Sequence, residues 1–164
     1  MLKYWQPDNG DIIFEACGGH GAISSVFEER GFSVISNDID PNKPADLHFD
    51  AGGLDGWDEV SDVDWVVTNP PFNAAEKIIP LAYEKSKKGI VMLLRISYLE
   101  PCSDRRDWLI DHPLALLIPF NPRPQFRPDT KGSDSATVAW FVWSKHTTAS
   151  KTLATKIEFC ADWK

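Results

Sequence analysis

The stretch Asn69-Pro70-Pro71-Phe72 places an amide, two rigid prolines and an aromatic ring in consecutive positions. It follows, after one threonine, the apolar run 65–67, which is typical of a buried strand. Because proline has no N–H to donate and fixes its own φ, two prolines end that strand in a stiff, extended turn. We therefore expect an amide that can accept hydrogen bonds and a ring that can stack on a flat group, both at the edge of a sheet where ligands bind.

A second candidate site is the turn 17–21, Cys-Gly-Gly-His-Gly, between the apolar run 12–16 and a helical pattern over 22–30. Glycines let the backbone approach a ligand closely, and a turn between a strand and a helix is typical of nucleotide pockets. A plain tight turn would explain the glycines almost as well.

An acid follows the next apolar run. Asp38 lies 17 residues after Gly21, close to the spacing at which a carboxylate accepts the hydroxyls of a ribose. Asp40 is the alternative, but it precedes Pro41 and would also serve as an ordinary loop acid.

Strands and helices alternate through most of the chain, which predicts an α/β fold with a doubly wound, mostly parallel, Rossmann-like sheet of seven strands. No segment of helical periodicity separates the last two strands, so the seventh should be antiparallel. The helices are predicted at 22–30, at 74–87 with Gly89 as its stop, and around 104–111. The strands are predicted at 12–16, 33–38, 46–50, 65–68, 90–94, 114–120 and 137–143, with 156–159 left open.

The composition suits one globular domain over residues 1–164, with 43% hydrophobic and 25% charged residues. No apolar run approaches the roughly 18 residues of a membrane span, and the N-terminus lacks the apolar core of a signal peptide. Three widely spaced cysteines fit neither a disulfide framework nor a zinc site, and the four histidines show no ligand spacing. We expect a reduced, cytoplasmic protein that binds no metal.

Charge is unevenly distributed along the chain, whose formal net charge is −7. Residues 1–66 contain 3 Lys and Arg against 14 Asp and Glu, a balance of −11, and residues 67–164 contain 14 against 10, a balance of +4. Such halves predict different ligands at different ends of the molecule. A solvated acidic surface without a partner is the alternative.

Taken together, the glycine turn, the acid after the second strand and Asn-Pro-Pro-Phe after the fourth resemble the class I S-adenosylmethionine-dependent methyltransferases. Within that fold they resemble the adenine-N6 DNA methyltransferases, in the compact form encoded by phages and prophages. The resemblance implies S-adenosylmethionine as cofactor and a bacterial or phage-infected cell as the setting. It implies cofactor binding by Glu15, Cys17, Gly18, Gly19, Gly21, Asp38, Asp50 and Asn69, and catalysis by Asn69, Pro70 and Phe72.

The chemistry of those residues fits that activity. An exocyclic adenine amine is a poor nucleophile because its lone pair is delocalised into the ring. The side-chain oxygen of Asn69 and the carbonyl of Pro70 can accept hydrogen bonds from both of its N–H groups. Each such preorganised partner contributes about 3–4 kcal/mol of electrostatic stabilisation. Phe72 offers a face for base stacking worth about 1–3 kcal/mol, and a base in a duplex would first have to be flipped out.

The motif does not separate DNA from other acceptors. RNA adenine and the side-chain nitrogen (N5) of a protein glutamine remain alternatives, as does a catalytically silent subunit that acts through a partner. No segment has the length of a target-recognition domain, so a partner subunit or a homodimer could supply recognition.

The loop 121–135 is a candidate for holding a nucleic acid. Arg123 and Arg127 flank Phe126, and prolines keep the segment extended. We expect the arginines to meet phosphates and the ring to pack on sugar or base, which positions the polymer without reading its sequence. A solvated loop stiffened by its prolines is the alternative.

Overall fold

The computed structural model describes residues 1–100, 102–120, 137–145 and 155–158. The strands are β1 (Ile12–Glu15), β2 (Ser33–Ser36), β3 (Val63–Thr68), β4 (Ser86–Arg95), β5 (Leu116–Pro119), β6 (Val138–Ser144) and β7 (Lys156–Ile157). The helices are α1 (Ser24–Glu28), α2 (Ala75–Lys85) and α3 (Ser103–Asp111), with short 3-10 turns at Trp57–Glu59 and Ile96–Leu99. Within these ranges, no helix combines the length and the apolar character that crossing a bilayer requires.

The strands form one sheet in the order β2-β1-β3-β4-β6-β5-β7. All of them run in the same direction except β6, which is antiparallel to both β4 and β5. The predicted α/β class and the antiparallel strand over 137–143 are therefore confirmed. An antiparallel neighbour needs no crossover helix, which fits the absence of a helical pattern between the last two predicted strands.

The predicted third strand over 46–50 is wrong. Only one parallel bridge forms there, between Asn37 and Leu47. The Asp46 carboxylate accepts hydrogen bonds from the backbone N–H and the hydroxyl of Ser36, both at 2.8 Å. Backbone bonds also join the two segments, from the N–H groups of Asp46 and Leu47 to the carbonyl of Ser36 and from the N–H of Asp38 to the carbonyl of Leu47, but the pairing stops at this one bridge. The seventh strand of the sheet is Lys156–Ile157 instead.

Both faces of the sheet are covered. Alternate residues of a strand point to opposite faces: Phe14 and Val66 pack on the side of α2, and Ile13 and Trp65 on the side of α1. The helical spacing of Ile78, Ile79, Ala82 and Tyr83 predicts that these side chains face inward. Ile78, Ile79 and Ala82 are buried, and Tyr83 is half-buried.

Gly89 does not end the second helix as predicted. The helix ends at Lys85, and Gly89 lies inside β4 with a φ of +149°. The register shifts from Val63–Ser86 to Trp65–Gly89, so β4 carries one extra residue here. A Cβ on Gly89 would lie 2.1 Å from the carbonyl oxygen of Trp143 and 2.8 Å from Cζ3 of Trp65. Only glycine fits this position.

We predict that Gly89→Ala lowers the free energy of unfolding by more than about 4 kcal/mol, because a backbone carbonyl cannot move away easily. Gly10→Ala is the matched control: Gly10 also has a positive φ, +90°, but a Cβ there would meet no atom of a non-neighbouring residue within 4 Å. It should cost only about 1–2 kcal/mol of backbone strain. Urea unfolding of both variants measures the difference, and equal losses would contradict the packing argument.

Candidate active site

The sheet topology brings the predicted site residues to one edge. β1 lies between β2 and β3, and all three run parallel. The glycine turn after β1 therefore emerges between Asp38, after β2, and Asn69, after β3. This is the carboxyl edge of the parallel strands, where ligands bind in open α/β sheets.

Hydrogen bonds from both neighbouring strand ends fix the glycine turn. The N–H of Cys17 donates to Oγ1 of Thr68, the last residue of β3, at 3.0 Å. The N–H of Gly19 donates to Oδ2 of Asp38 at 2.7 Å. Gly19 has a φ of +57°, a conformation that favours glycine. The turn is thus held in shape by the protein itself.

Asn37 is a residue that the sequence analysis did not single out. Its side chain is fully buried, and its Nδ2 donates to the carbonyl oxygens of Ala16, at 2.9 Å, and of Phe49, at 3.1 Å. Its Oδ1 accepts the N–H of Phe49 at 2.9 Å, and its carbonyl accepts the N–H of Gly18 at 2.7 Å. In the sequence, the feature that points to this role of Asn37 is a polar residue at the end of an apolar run.

Asp38 keeps capacity for a ligand. Its carboxylate is half-buried and accepts the N–H of Gly19 on Oδ2 and that of Asp40, at 2.9 Å, on Oδ1. A carboxylate offers about four lone-pair sites, so each oxygen can accept one more donor. Asp40, the alternative acid, instead accepts two bonds from Asn42, at 3.0 and 2.9 Å, within its own loop.

Asp50 is exposed near the same edge. Its Oδ1 accepts the N–H of Gly52 at 2.9 Å. Its neighbour Phe49 is held by Asn37 and stacks on Phe14, with the ring centroids 6.4 Å apart. The backbone that carries Asp50 is therefore anchored to β1 and β2.

Burial raises the pKa of two groups in this region. Glu15 is 1% exposed, and burial raises the pKa of its carboxyl from 4.5 to about 7. Hydrogen bonds from the N–H of Ser24, at 2.8 Å, and from its hydroxyl offset part of that rise. Burial also raises the pKa of the Cys17 thiol to about 12, so this thiol is not a nucleophile at neutral pH.

Asn69 and Phe72 both present their side chains to solvent. Within the described part of the chain, the Asn69 amide forms no hydrogen bond, which leaves its oxygen available as an acceptor. Pro70 is buried, and the carbonyl of Pro71 accepts the N–H of Ala74 at 2.9 Å, where α2 begins. The turn is therefore stiff and displays its amide and its ring outward.

The predicted nucleic-acid residues Arg123, Phe126 and Arg127 lie outside the described residues. Both flanks of their segment are at the carboxyl edge. The N–H of Phe120 donates to the carbonyl of Val138 at 3.1 Å, and the N–H of Ile96 donates to the carbonyl of Thr137 at 2.9 Å.

A scan against protein-family models and a search of curated proteins both find no match. Solved structures are similar in fold. The methyltransferase subunit of a type I restriction-modification system from Streptococcus thermophilus gives a TM-score of 0.67 at 13% identity, covering 92% of this chain and 42% of that chain. The M protein of the type I restriction enzyme EcoKI gives 0.65 at 13% identity, covering 88% and 42%.

A proposed class I S-adenosylmethionine-dependent methyltransferase from Listeria monocytogenes gives a TM-score of 0.62 at 14% identity, covering 98% of this chain and 61% of that chain. The chain thus spans 42% of the length of the two type I subunits. Identities this low establish a likeness of fold. The chain has the class I S-adenosylmethionine-dependent methyltransferase fold that its motifs predicted.

Proposed function

We propose that this protein is an S-adenosylmethionine-dependent methyltransferase whose acceptor is the exocyclic N6 amine of adenine in DNA. The observation that carries the proposal is the position of Asn69. It is exposed at the carboxyl end of β3, next to the glycine turn of β1, and its amide oxygen is not engaged by the described residues. The fold shared with methyltransferase subunits of restriction-modification systems supports this choice of reaction.

The residues at this edge fit the cofactor. The remaining lone pairs of Asp38 suit the two hydroxyls of a ribose, and the exposed carboxylate of Asp50 suits an amino group. Gly18 packs closely on β2, because a Cβ there would lie 3.3 Å from the carbonyl oxygen of Asn37, whereas a Cβ at Gly19 or Gly21 would meet no atom within 4 Å, which leaves room for a ligand beside those two residues. Glu15, at the end of β1 and 1% exposed, would act on the methionine part through the charge of its carboxylate.

The residues that would hold the methyl-accepting base would do so by accepting hydrogen bonds and by stacking. Asn69 Oδ1 and the carbonyl of Pro70 would take the two amine N–H groups and direct the nitrogen lone pair toward the methyl donor. An amide suits this task because it does not titrate. Phe72 would hold the base by its face. Bound S-adenosylmethionine supplies an electrophilic methyl group, and the amine releases one proton to water.

We predict that Asn69→Ala lowers the rate of methyl transfer by at least about 10²-fold, because the lost acceptor acts mainly in the transition state. The variant should still bind the cofactor. Radiolabelled methyl transfer to DNA, RNA and protein, followed by nucleoside and amino-acid analysis, measures the rate and identifies the acceptor. Asn73→Ala, an exposed asparagine four residues further along, is the control and should keep full activity.

Near-normal turnover of Asn69→Ala would reject the proposed role of this motif. If the radiolabel is found on RNA or on a glutamine, that molecule, and not DNA, is the acceptor. No transfer to any acceptor by the wild-type protein, despite cofactor binding, would support the silent subunit.

We also predict that cofactor affinity rises with pH until about 7 and then levels off. Burial raises the pKa of Glu15 to about 7, and a cationic methionine group favours the carboxylate, so binding below that pH releases a proton from Glu15. The affinity should change by up to about tenfold per pH unit. Calorimetry between pH 5.5 and 8 measures it.

Glu15→Gln should remove this pH dependence, whereas Glu28→Gln, an exposed acid on α1, should retain it. The same pH dependence in wild-type protein and in Glu15→Gln would show that another group titrates.

A further inference from the structure

Strand β4 extends past the end of β3. Thr68, the last residue of β3, pairs with Met92, so three more residues of β4 continue to Arg95 alongside the Asn69–Phe72 turn. Arg95 pairs with Val138 of β6 on its other side. A paired strand, and not a loop, therefore carries this arginine to the candidate acceptor site.

The guanidinium of Arg95 lies over the ring of Phe72, with 4.7 Å between its carbon and the ring centroid. The Arg95 side chain is exposed, and it forms no ion pair with any residue that the structure describes. Two nearby arginines differ: Arg105 bridges Glu76 at 3.0 Å, and Arg106 bridges Asp107 at 2.8 Å. Of these three arginines, Arg95 is the one whose charge is not neutralised by an ion pair with a described residue.

A pocket of about 220 Å³ opens beside this pair. Its lining includes Phe72 and Arg95 together with Tyr98 and Arg105. Two arginines and one acid, Glu76, line the pocket, so the formal charge of its lining is +1. The volume is below the roughly 300–1,000 Å³ typical of a whole small-molecule ligand. It suits a fragment, and the charge selects an anionic one.

We propose that this pocket binds the sugar-phosphate backbone of a nucleic acid next to the acceptor base, with Arg95 as the residue that contacts the phosphate. The inference rests on the proposed function and deepens it, because a protein glutamine carries no phosphate to meet this cation. Arg95 thereby favours a polynucleotide acceptor. The contact would hold any sequence equally, since phosphate is the same at every nucleotide.

The energies favour a phosphate over the ring as the partner of Arg95. A cation over the face of an exposed ring is held only weakly. A phosphate carries a full opposite charge and can accept two parallel N–H bonds from one guanidinium. A phosphate that reaches the pocket would therefore draw the guanidinium away from Phe72 and leave the ring free for a base.

The test compares Arg95→Gln, Arg95→Lys and the control Arg106→Gln, an exposed arginine whose ion pair is local. Fluorescence anisotropy with a labelled oligodeoxynucleotide, at several salt concentrations, gives the affinity and its salt slope. Arg95→Gln should lower that slope by about 0.9 on duplex DNA, or about 0.7 on a single strand. Arg95→Lys should keep the slope, and Arg106→Gln should resemble the wild-type protein.

Methyl transfer by the same variants gives a second reading. Arg95→Gln should raise KM for the polynucleotide several-fold, with kcat and cofactor affinity close to wild type. An unchanged slope and KM in Arg95→Gln would overturn the phosphate contact, while loss of transfer in Asn69→Ala would leave the proposed function standing. A wild-type protein that binds no polynucleotide but methylates a glutamine peptide would overturn both. Should Arg95→Gln misfold, Arg95→Met removes the same charge and should show the same lower slope and higher KM, and wild-type values in Arg95→Met would overturn the phosphate contact.

Discussion

The side-chain amide of Asn37 joins three segments that are distant in sequence: the end of β1, the end of β2 and the chain before Asp50. The Asn37 side chain is fully buried, so water cannot take over its hydrogen bonds if the amide is removed. A buried polar group left without its partner costs about 1–3 kcal/mol. Together with the bonds of the turn to Thr68 and Asp38, this amide sets the spacing between the glycine turn, Asp38 and Asp50, and cofactor binding in the proposed function depends on that spacing.

The carboxyl edge of the sheet is divided by charge. Glu15, Asp38 and Asp50 belong to the β1 and β2 side, whereas Arg95 and Arg105 belong to the β4 and α3 side. This matches the acidic first part and the basic second part of the sequence. In the proposed function, the acids meet a cationic cofactor and the arginines meet an anionic polymer, so each ligand is repelled from the other's position.

Local patterns predicted the parts of the fold that local patterns determine. The glycine turn, the strand before Asn69 and the buried face of α2 each follow from periodicity and from residues that end strands or helices. The strand over 46–50 was wrong because its pairing with β2 ends after one bridge, next to the bonds from Ser36 to the Asp46 carboxylate, and such tertiary contacts are not visible in the sequence. Gly89 was misread because only pairing with β3 turns the polar residues before it into a strand. Arg95 was missed because its place beside Phe72 depends on register.

The flanks of the segment 121–136 are both fixed by the ladder of β5 and β6 at the carboxyl edge. Insertions between them would leave every strand pairing in place, and each doubling of a flexible loop costs only about 0.6 kcal/mol. The fold thus contains a position, beside the candidate acceptor site, at which sequence can be inserted at little cost in stability. In the proposed function, selection for a narrower range of targets would act there, on inserted residues, without changing the residues that bind the cofactor.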